Sequence, residues 1–313
     1  MIRLVLSRVL WSVPLLWVVS ALTFGLVSLV PGNAAQAILG PDASAAQLST
    51  LTRQLGLDQP LWTQYWHWLD RAVHGDLGTS LATGQSVSTI LGSRLTVSLT
   101  LIIGGTLVAG VLGVAFGIWA ATRGGVLGHL VEVGAVLGLA VPNFWLGLVL
   151  IELFAVSVRI FPATGFVPFG QSPPQWALSL VLPVLAIAAV GMTMIAVQTR
   201  DSMLEVLRRD FVRVLEANGI PRRSVVYRHV LRNAAIPVVT VIGITFVGLL
   251  GASVLVESVF ALPGLGSGLT TAASQHDLPV IQGAVLCFTL VVVVVNLLVD
   301  VAYGLLSPQV RVR

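Results

Sequence analysis

Six apolar runs, each at least about 20 residues long, decide what this chain can become: 9–30, 97–121, 131–158, 177–197, 234–256 and 280–304. An α-helix rises 1.5 Å per residue, so ~20 apolar residues cover the ~30 Å hydrocarbon layer of a bilayer. Lipid offers backbone N–H and C=O groups no partner, and a helix satisfies them internally. Composition points the same way: 56% of the 313 residues are hydrophobic and only 10% charged, against roughly a quarter charged in soluble domains. Disorder is excluded by the same figures, and the 31 glycines follow no triplet period that would suggest a fibre. The expected fold class is an all-α polytopic membrane protein with six transmembrane helices.

Proline is expected to interrupt the third, fourth and fifth runs. Pro142 precedes Asn143 inside the third run, so a kink or break is expected there, and Pro183 and Pro237 should act similarly in the fourth and fifth. The first run follows Arg3 and Arg8 but covers 22 residues and includes Trp11 and Trp17. The apolar core of a secretory signal is only ~7–15 residues long, so this run reads as a retained span.

All 17 basic residues are arginine. Six spans would put both termini on one side, with the loops 122–130 and 198–233. That side carries thirteen arginines: 3, 8, 123, 200, 208, 209, 213, 222, 223, 228, 232, 311 and 313. The other side carries four, Arg53, Arg71, Arg94 and Arg159. The excess places both termini in the cytoplasm. The sequence pI near 10.2 then reflects topology and requires no nucleic-acid partner.

The missing lysine removes chemistry. A P-loop needs a lysine to reach the phosphates and a Schiff-base enzyme needs an amine. Cys287 is the only cysteine, so no internal disulfide can form. The five histidines (67, 74, 129, 229, 276) have no metal-ligand spacing, and neither a Gly-x-Ser-x-Gly motif nor paired in-span aspartates occur. A membrane-embedded hydrolase is disfavoured.

Two hydrophilic stretches separate the runs. In the first, 31–96, Ser44 and Gln47 form a capping-box pattern before a helix with Leu48, Leu51 and Leu55 on one face, and Gly56 can end it in a left-handed turn. Pro60 can start a second helix in which Trp62, Tyr65, Trp66 and Trp68 cluster, suited to the membrane–water boundary or to an external cap over the spans. The second stretch, 198–233, mixes eight arginines with Asp201, Glu205, Asp210 and Glu216. Leu204, Leu207, Phe211, Val214 and Leu215 recur at helical spacing. Asn218-Gly219-Ile220-Pro221 should break that helix, and Ser224 should cap another. Such a basic elbow could bind anionic headgroups or dock a soluble partner; its interspersed acids favour docking.

In-span acids are costly and usually face protein or a water-filled path. Glu132 and Asp300 lie near the cytoplasmic ends, where pairing with arginine is cheap. Glu152 is deeper, with Arg159 seven residues on, which suggests an ion pair. Gly113 with Gly117, and Gly134 with Gly138, should allow close helix approach.

Phe211-Val-Arg-Val-Leu-Glu-Ala-Asn-Gly-Ile and Tyr227-Arg-His-Val-Leu-Arg-Asn-Ala-Ala-Ile-Pro-Val-Val-Thr resemble the coupling segment of the dipeptide, oligopeptide and nickel permeases, within the ABC importers. The resemblance extends through Leu29-Val-Pro-Gly, Leu55-Gly-Leu-Asp-Gln-Pro-Leu, Gly75-Asp-Leu-Gly-Thr-Ser, Pro142-Asn-Phe-Trp-Leu-Gly, Glu257-Ser-Val-Phe, Pro263-Gly-Leu-Gly, Pro279-Val-Ile-Gln-Gly and Asn296-Leu-Leu-Val-Asp-Val-Ala-Tyr. The long segment after the first span is similar to the first permease of the pair. Two departures stand out: Arg213-Val214-Leu215 replaces the wider superfamily's Glu-Ala-Ala, and Ser307-Pro308-Gln309 replaces a terminal Asp-Pro-Arg.

The resemblance implies a type I ABC importer permease fold in a bacterial inner membrane, with a first helix and external segment at 1–96, a five-helix core at 97–313 and coupling helices at about 201–233. It implies a sister permease as heterodimer partner, two ATPase subunits carrying ATP and Mg, an external binding protein, and no cofactor on this chain. The cargo would be peptide or, alternatively, nickel or another metal chelate. Coupling would fall to Ala217, Gly219, Arg222, Arg223, Arg228, His229 and Arg232, and hinging to Pro142 and Pro237. Glu152, Glu257, Asn296 and Asp300 are candidates for the path or its gate.

Overall fold

The computed structural model describes residues 2–29, 34–40, 42–123, 125, 133–134, 138 and 140–306. The described residues contain helices α1 (Ile2–Ser28), α2 (Ala34–Leu39), α3 (Ala45–Gln54), α4 (Leu61–Val73), α5 (Val87–Arg123), α6 (Asn143–Ser157), α7 (Pro173–Leu207), α8 (Asp210–Ala217), α9 (Arg222–Val259), α10 (Leu265–Ser274) and α11 (Leu278–Leu306). No strand occurs among these residues; one isolated bridge joins Thr79 to Ser86. Among the described residues five helices are long and apolar enough to cross a membrane: α1, α5, α7, α9 and α11. The shorter apolar α6 belongs to the expected third span; of the run before it only 133–134, 138 and 140–142 are described, and Glu132 and Ser307-Pro308-Gln309 lie outside the described residues.

Proline behaves differently at Pro142, Pro183 and Pro237. Pro142 is the N-cap of α6, with an extended backbone (ψ 138°), so the third run breaks there as expected. Pro183 and Pro237 lie inside unbroken α7 and α9, and no break occurs at either. Neighbouring helices can satisfy the backbone group that a proline frees inside a membrane helix. Two π-helical turns were not foreseen: Ile151–Ser157 ends α6, and Val225–Val230 lies near the start of α9. The first also defeats the expected Glu152–Arg159 ion pair. A π turn adds a residue per turn, so seven positions no longer return to one face. Arg159 sits at φ +58° beyond the helix end, and its Nε donates to the Val156 carbonyl at 3.4 Å.

The chain divides into two compact units, 2–98 with 263–293 and 99–262 with 294–313. The expected boundary after residue 96 falls inside α5, which is continuous from Val87 to Arg123, so no linker marks it.

In the unit formed by 2–98 and 263–293, the Ser44–Gln47 capping box is present, and Gly56 ends the turn after α3 at φ +67°. Pro60 is the N-cap of α4. The α4 aromatics split by face: Tyr65 and Trp68 are buried at 8% and 3% exposure, while Trp62 and Trp66 point outward. Tyr65 packs edge-on against Phe24 of α1 at 5.5 Å, and its hydroxyl meets Ser20 Oγ at 2.9 Å. Gln282 Nε2 on α11 donates to the Ser20 carbonyl at 2.8 Å, so one serine ties three helices. Buried Asp277 accepts from Ser80 Oγ, the Leu81 N–H at 3.1 Å and the Ala82 N–H at 3.4 Å, locking the 78–86 turn to the loop before α11. Arg94 Nη1 donates to the Gly264 carbonyl at 3.1 Å, and Ser98 Oγ accepts from the Leu265 N–H at 2.8 Å, fixing the start of α10.

The other unit is packed through glycine notches. Lipid is as apolar as a leucine side chain, so helices associate mainly by close van der Waals contact, which small residues permit. A Cβ on Gly113 would lie 2.7 Å from the Met192 carbonyl oxygen, and one on Gly117 would lie 2.6 Å from that of Ala196. α5 and α7 therefore touch backbone to side. A Cβ on Gly191 would lie 2.5 Å from Thr245 Cγ2 of α9, and one on Gly243 would lie 2.5 Å from Val299 Cγ2 of α11. Gly138 packs against Thr193, but among the described residues nothing lies within 4 Å of a Cβ at Gly134, so there only half of that expected pair is a notch.

Gly117→Leu should therefore cost roughly 1–3 kcal/mol by overpacking, read as a lower Tm and yield of the membrane-extracted protein. Gly110→Leu, at a position with no neighbour within 4 Å, should behave like the parent.

Candidate functional site

The 198–233 stretch folds onto the membrane helices and does not stand apart from them. α7 continues beyond its apolar run to Leu207, burying Thr199, Ser202, Met203 and Val206 on the way. The expected single helical face over residues 204–215 is then interrupted. Arg208 is the C-cap of α7 and Arg209, extended at ψ 145°, is the N-cap of α8. Asp210 in the first turn of α8 complements the positive end of its dipole.

One face of α8 is spent on packing. Val212 is buried and Leu215 half-buried, in a cluster with Met203 and Val206 of α7, Val225, Val226, Val230 and Ala234 of α9, and Ile118 and Ala121 of α5. The helix ends in a Schellman motif. The Gly219 N–H donates to the Glu216 carbonyl at 3.0 Å and the Ile220 N–H to that of Leu215 at 3.2 Å, while Ile220 and Leu215 pack on the same cluster. Gly219 holds the required left-handed backbone at φ +77°. A β-carbon there costs roughly 1–2 kcal/mol.

Ser224 does not cap a separate helix, contrary to the sequence expectation. Pro221 is the N-cap, Ser224 is already helical (φ −66°, ψ −41°), and α9 runs unbroken from Arg222 into the fifth span. A fixed φ suits proline to the edge of a helix, and it starts this one three residues earlier. The elbow is thus one short helix, a glycine turn, and a long helix that passes directly into the apolar run.

The opposite face of α8 is open. Phe211, Val214, Ala217, Asn218 and Gly219 are exposed, Val214 at 57%. Sequence reasoning grouped Phe211 and Val214 with the packed leucines; the charged triplet Arg208-Arg209-Asp210 was the signal that a new helix, with a new face, begins there. The acids of the stretch are largely used locally: Asp201 with Arg200 at 3.2 Å, Glu205 with Arg209 at 2.7 Å, and Asp210 with Arg213 at 3.7 Å. Exposed pairs of this kind contribute little to stability. Among the described residues, Arg222, Arg223, Arg228 and Arg232 are exposed and have no ion-pair partner. His229 is half-buried, and its carbonyl accepts from Asn233 Nδ2 at 2.8 Å.

The path candidates do not converge. Glu152 is exposed in the π turn of α6, Asn296 is exposed on α11, Asp300 is half-buried, and Glu257 is buried in the last turn of α9. Tyr303 of α11 hydrogen-bonds Thr240, and Val299 meets Gly243, so Asp300 lies level with the early part of α9. Glu257 is fourteen residues beyond Gly243, or about 21 Å along the helix. Among the described residues no group of three or more His, Cys, Asp or Glu side chains could hold a metal ion.

Comparisons with known proteins cover the whole chain. Residues 113–312 match the family model described as binding-protein-dependent transport system inner membrane component, and residues 1–102 match the corresponding N-terminal family model. A peptide transport system permease protein of Brucella abortus (strain 2308) is 39% identical over 312 residues, covering 99% of each chain. The glutathione transport system permease protein GsiC of Escherichia coli (strain K12) is 39% identical over 314 residues, covering 100% of each, as is that of Salmonella typhimurium (strain LT2). The elbow described above, Arg208 to Arg232, falls wholly within the first matched region. This chain belongs to the family of inner membrane components of binding-protein-dependent transport systems.

Proposed function

We propose that the chain is one of two membrane subunits of a peptide importer, and that its α8 elbow is the surface gripped by ATPase partners. The observation that carries this reading is the division of α8 into two faces. Val212, Leu215 and Ile220 fasten it to α5, α7 and α9, while Phe211, Val214 and Ala217 leave an apolar ridge open for a partner. Force applied at that ridge passes through the Gly219 turn into α9 without a flexible joint.

In this reading the chain crosses the membrane six times, with both termini and the elbow in the cytoplasm, as the arginine distribution favours. A sister permease completes the path, and an external binding protein delivers cargo. ATP and Mg act on the partner subunits, since a chain without lysine has no P-loop lysine of its own. Ala217 and Gly219 give the close fit, and Arg222, Arg223, Arg228, His229 and Arg232 contact the partner. Approach of the ATPases tilts α9, with Pro237 and Pro142 as hinge points, and access to the cavity alternates. Glu152, Glu257, Asn296 and Asp300 serve the path at different depths. The relatives named for peptides and for glutathione, itself a tripeptide, favour peptide cargo over a nickel chelate.

Gly219→Trp tests the elbow. Among the described residues no heavy atom lies within 4 Å of a Cβ at Gly219, so a side chain can begin there at the backbone cost alone. The variant should insert, yet lose most ATP-driven uptake while hydrolysis continues; normal uptake would defeat the assignment. Val214→Asp should reduce co-purification of the ATPase subunits about ten-fold, equivalent to about 1.4 kcal/mol. For orientation, Val214→Cys in a Cys287→Ser background should react with an impermeant maleimide in inverted vesicles and not in intact spheroplasts. The opposite pattern would put the elbow on the wrong side.

A further inference from the structure

A cleft of about 410 Å³ opens between the end of α5 and the start of α9, lined by Ala115, Ile118, Trp119, Thr122 and Arg123 of α5 and by Arg222, Arg223, Val226 and Tyr227 of α9. Its size lies within the roughly 300–1,000 Å³ of small-molecule sites. Three guanidinium groups line it and, among the described residues, no carboxylate does. All three arginines are exposed and lack an ion-pair partner among the described residues. The Thr122 hydroxyl donates to the Ile118 carbonyl at 2.8 Å, so it reaches the cleft as an acceptor and does not supply an anion.

The remaining lining is apolar or aromatic, and it continues along the outer side of α5. Trp119 and Phe116 are each 42% exposed, and Val111 is 67% exposed. Trp119 sits in the second-last turn of a membrane-crossing helix, the level at which indole rings settle between hydrocarbon and water. A ligand that used every part of this surface would need an anionic head for the arginines and an apolar tail for the flank of α5.

We propose that Arg123, Arg222 and Arg223, with Trp119 and Tyr227, form a binding site for the phosphate headgroup of an anionic phospholipid, whose acyl chains lie against the outer face of α5. The site requires only that α5 and α9 are membrane helices; it does not depend on the ATPase reading of the elbow, and it takes Arg222 and Arg223 out of the partner contacts proposed there. A free phosphate ion would satisfy the same arginines without using the apolar flank. Carboxylates of a soluble partner would have to reach in beside the end of a span.

The test uses the complete complex, purified in neutral detergent with equal amounts of phosphatidylglycerol and phosphatidylethanolamine, and reads bound lipid by native mass spectrometry. Phosphatidylglycerol should be retained in preference, and Arg123→Gln and Arg223→Gln should each cut that retention at least about five-fold, the scale of one arginine at a charged surface. Arg123→Lys should restore most of it, and Arg208→Gln, an exposed arginine outside both the cleft and the proposed partner contacts, should leave it unchanged. Equal retention of the two lipids, or an equal loss in Arg208→Gln, would overturn the site. Displacement of the lipid by millimolar inorganic phosphate would also overturn it, by assigning the arginines to a soluble anion. ATPase recovery is scored on the same samples: Arg123 is outside the proposed coupling set, so Arg123→Gln should lose lipid and keep the ATPases. Loss of the ATPases with lipid retained, in either Gln variant, would show that the arginine serves the subunit interface and defeat the lipid assignment.

Discussion

Backbone-close contact between helices is the interaction on which the unit formed by 99–262 and 294–313 depends. Where lipid replaces water, transferring a leucine from bilayer to protein interior gains little, so association must come from contacts that lipid chains cannot make as well. Gly113 and Gly117 let α5 reach the carbonyl oxygens of α7, and Gly191 and Gly243 do the same for the threonine and valine of the next helices. Bulk at these points would force the helices apart and weaken the contacts around them, such as the Thr240–Tyr303 hydrogen bond between α9 and α11.

The same packing makes the elbow useful. A helix of eight residues is marginal by itself, yet α8 is anchored because α7 and α9 extend past the apolar runs and offer it Met203, Val206, Val225, Val226 and Val230. The Schellman turn at Gly219 closes the block. What could have been a flexible loop is a firm ledge on two membrane-crossing helices, with an apolar ridge outward and arginines along its second arm. The π turn Val225–Val230 and Pro237 lie in that second arm, where the backbone hydrogen-bond ladder is already irregular.

Much of this was legible in the residues because the relevant forces are local. Apolar length gives the spans, the Ser44–Gln47 box starts α3, Gly56 and Gly219 take left-handed turns, and Pro142 breaks the third run. What was not legible depended on neighbours. Nothing in the spacing of Leu204 to Leu215 says that the chain ends one helix at Leu207 and starts another at Asp210, turning Phe211 and Val214 outward. Pro183 and Pro237 carry the same local penalty as Pro142 but sit inside packed helices that continue through them. The Glu152–Arg159 pairing assumed regular α-helix, and a π turn removed it.

The sequence by itself determined that the chain is a helical membrane protein, which family it belongs to, and that it lacks a lysine for binding nucleotide phosphates, since hydropathy, motif order and residue inventory need no coordinates. Only the tertiary structure decided which face of α8 is spent on packing and which stays open, and that Arg123 meets Arg222 and Arg223 across a cleft from about a hundred residues away. Both depend on which helices lie side by side, and the spacing of residues along one helix cannot specify what the neighbouring helix brings to it.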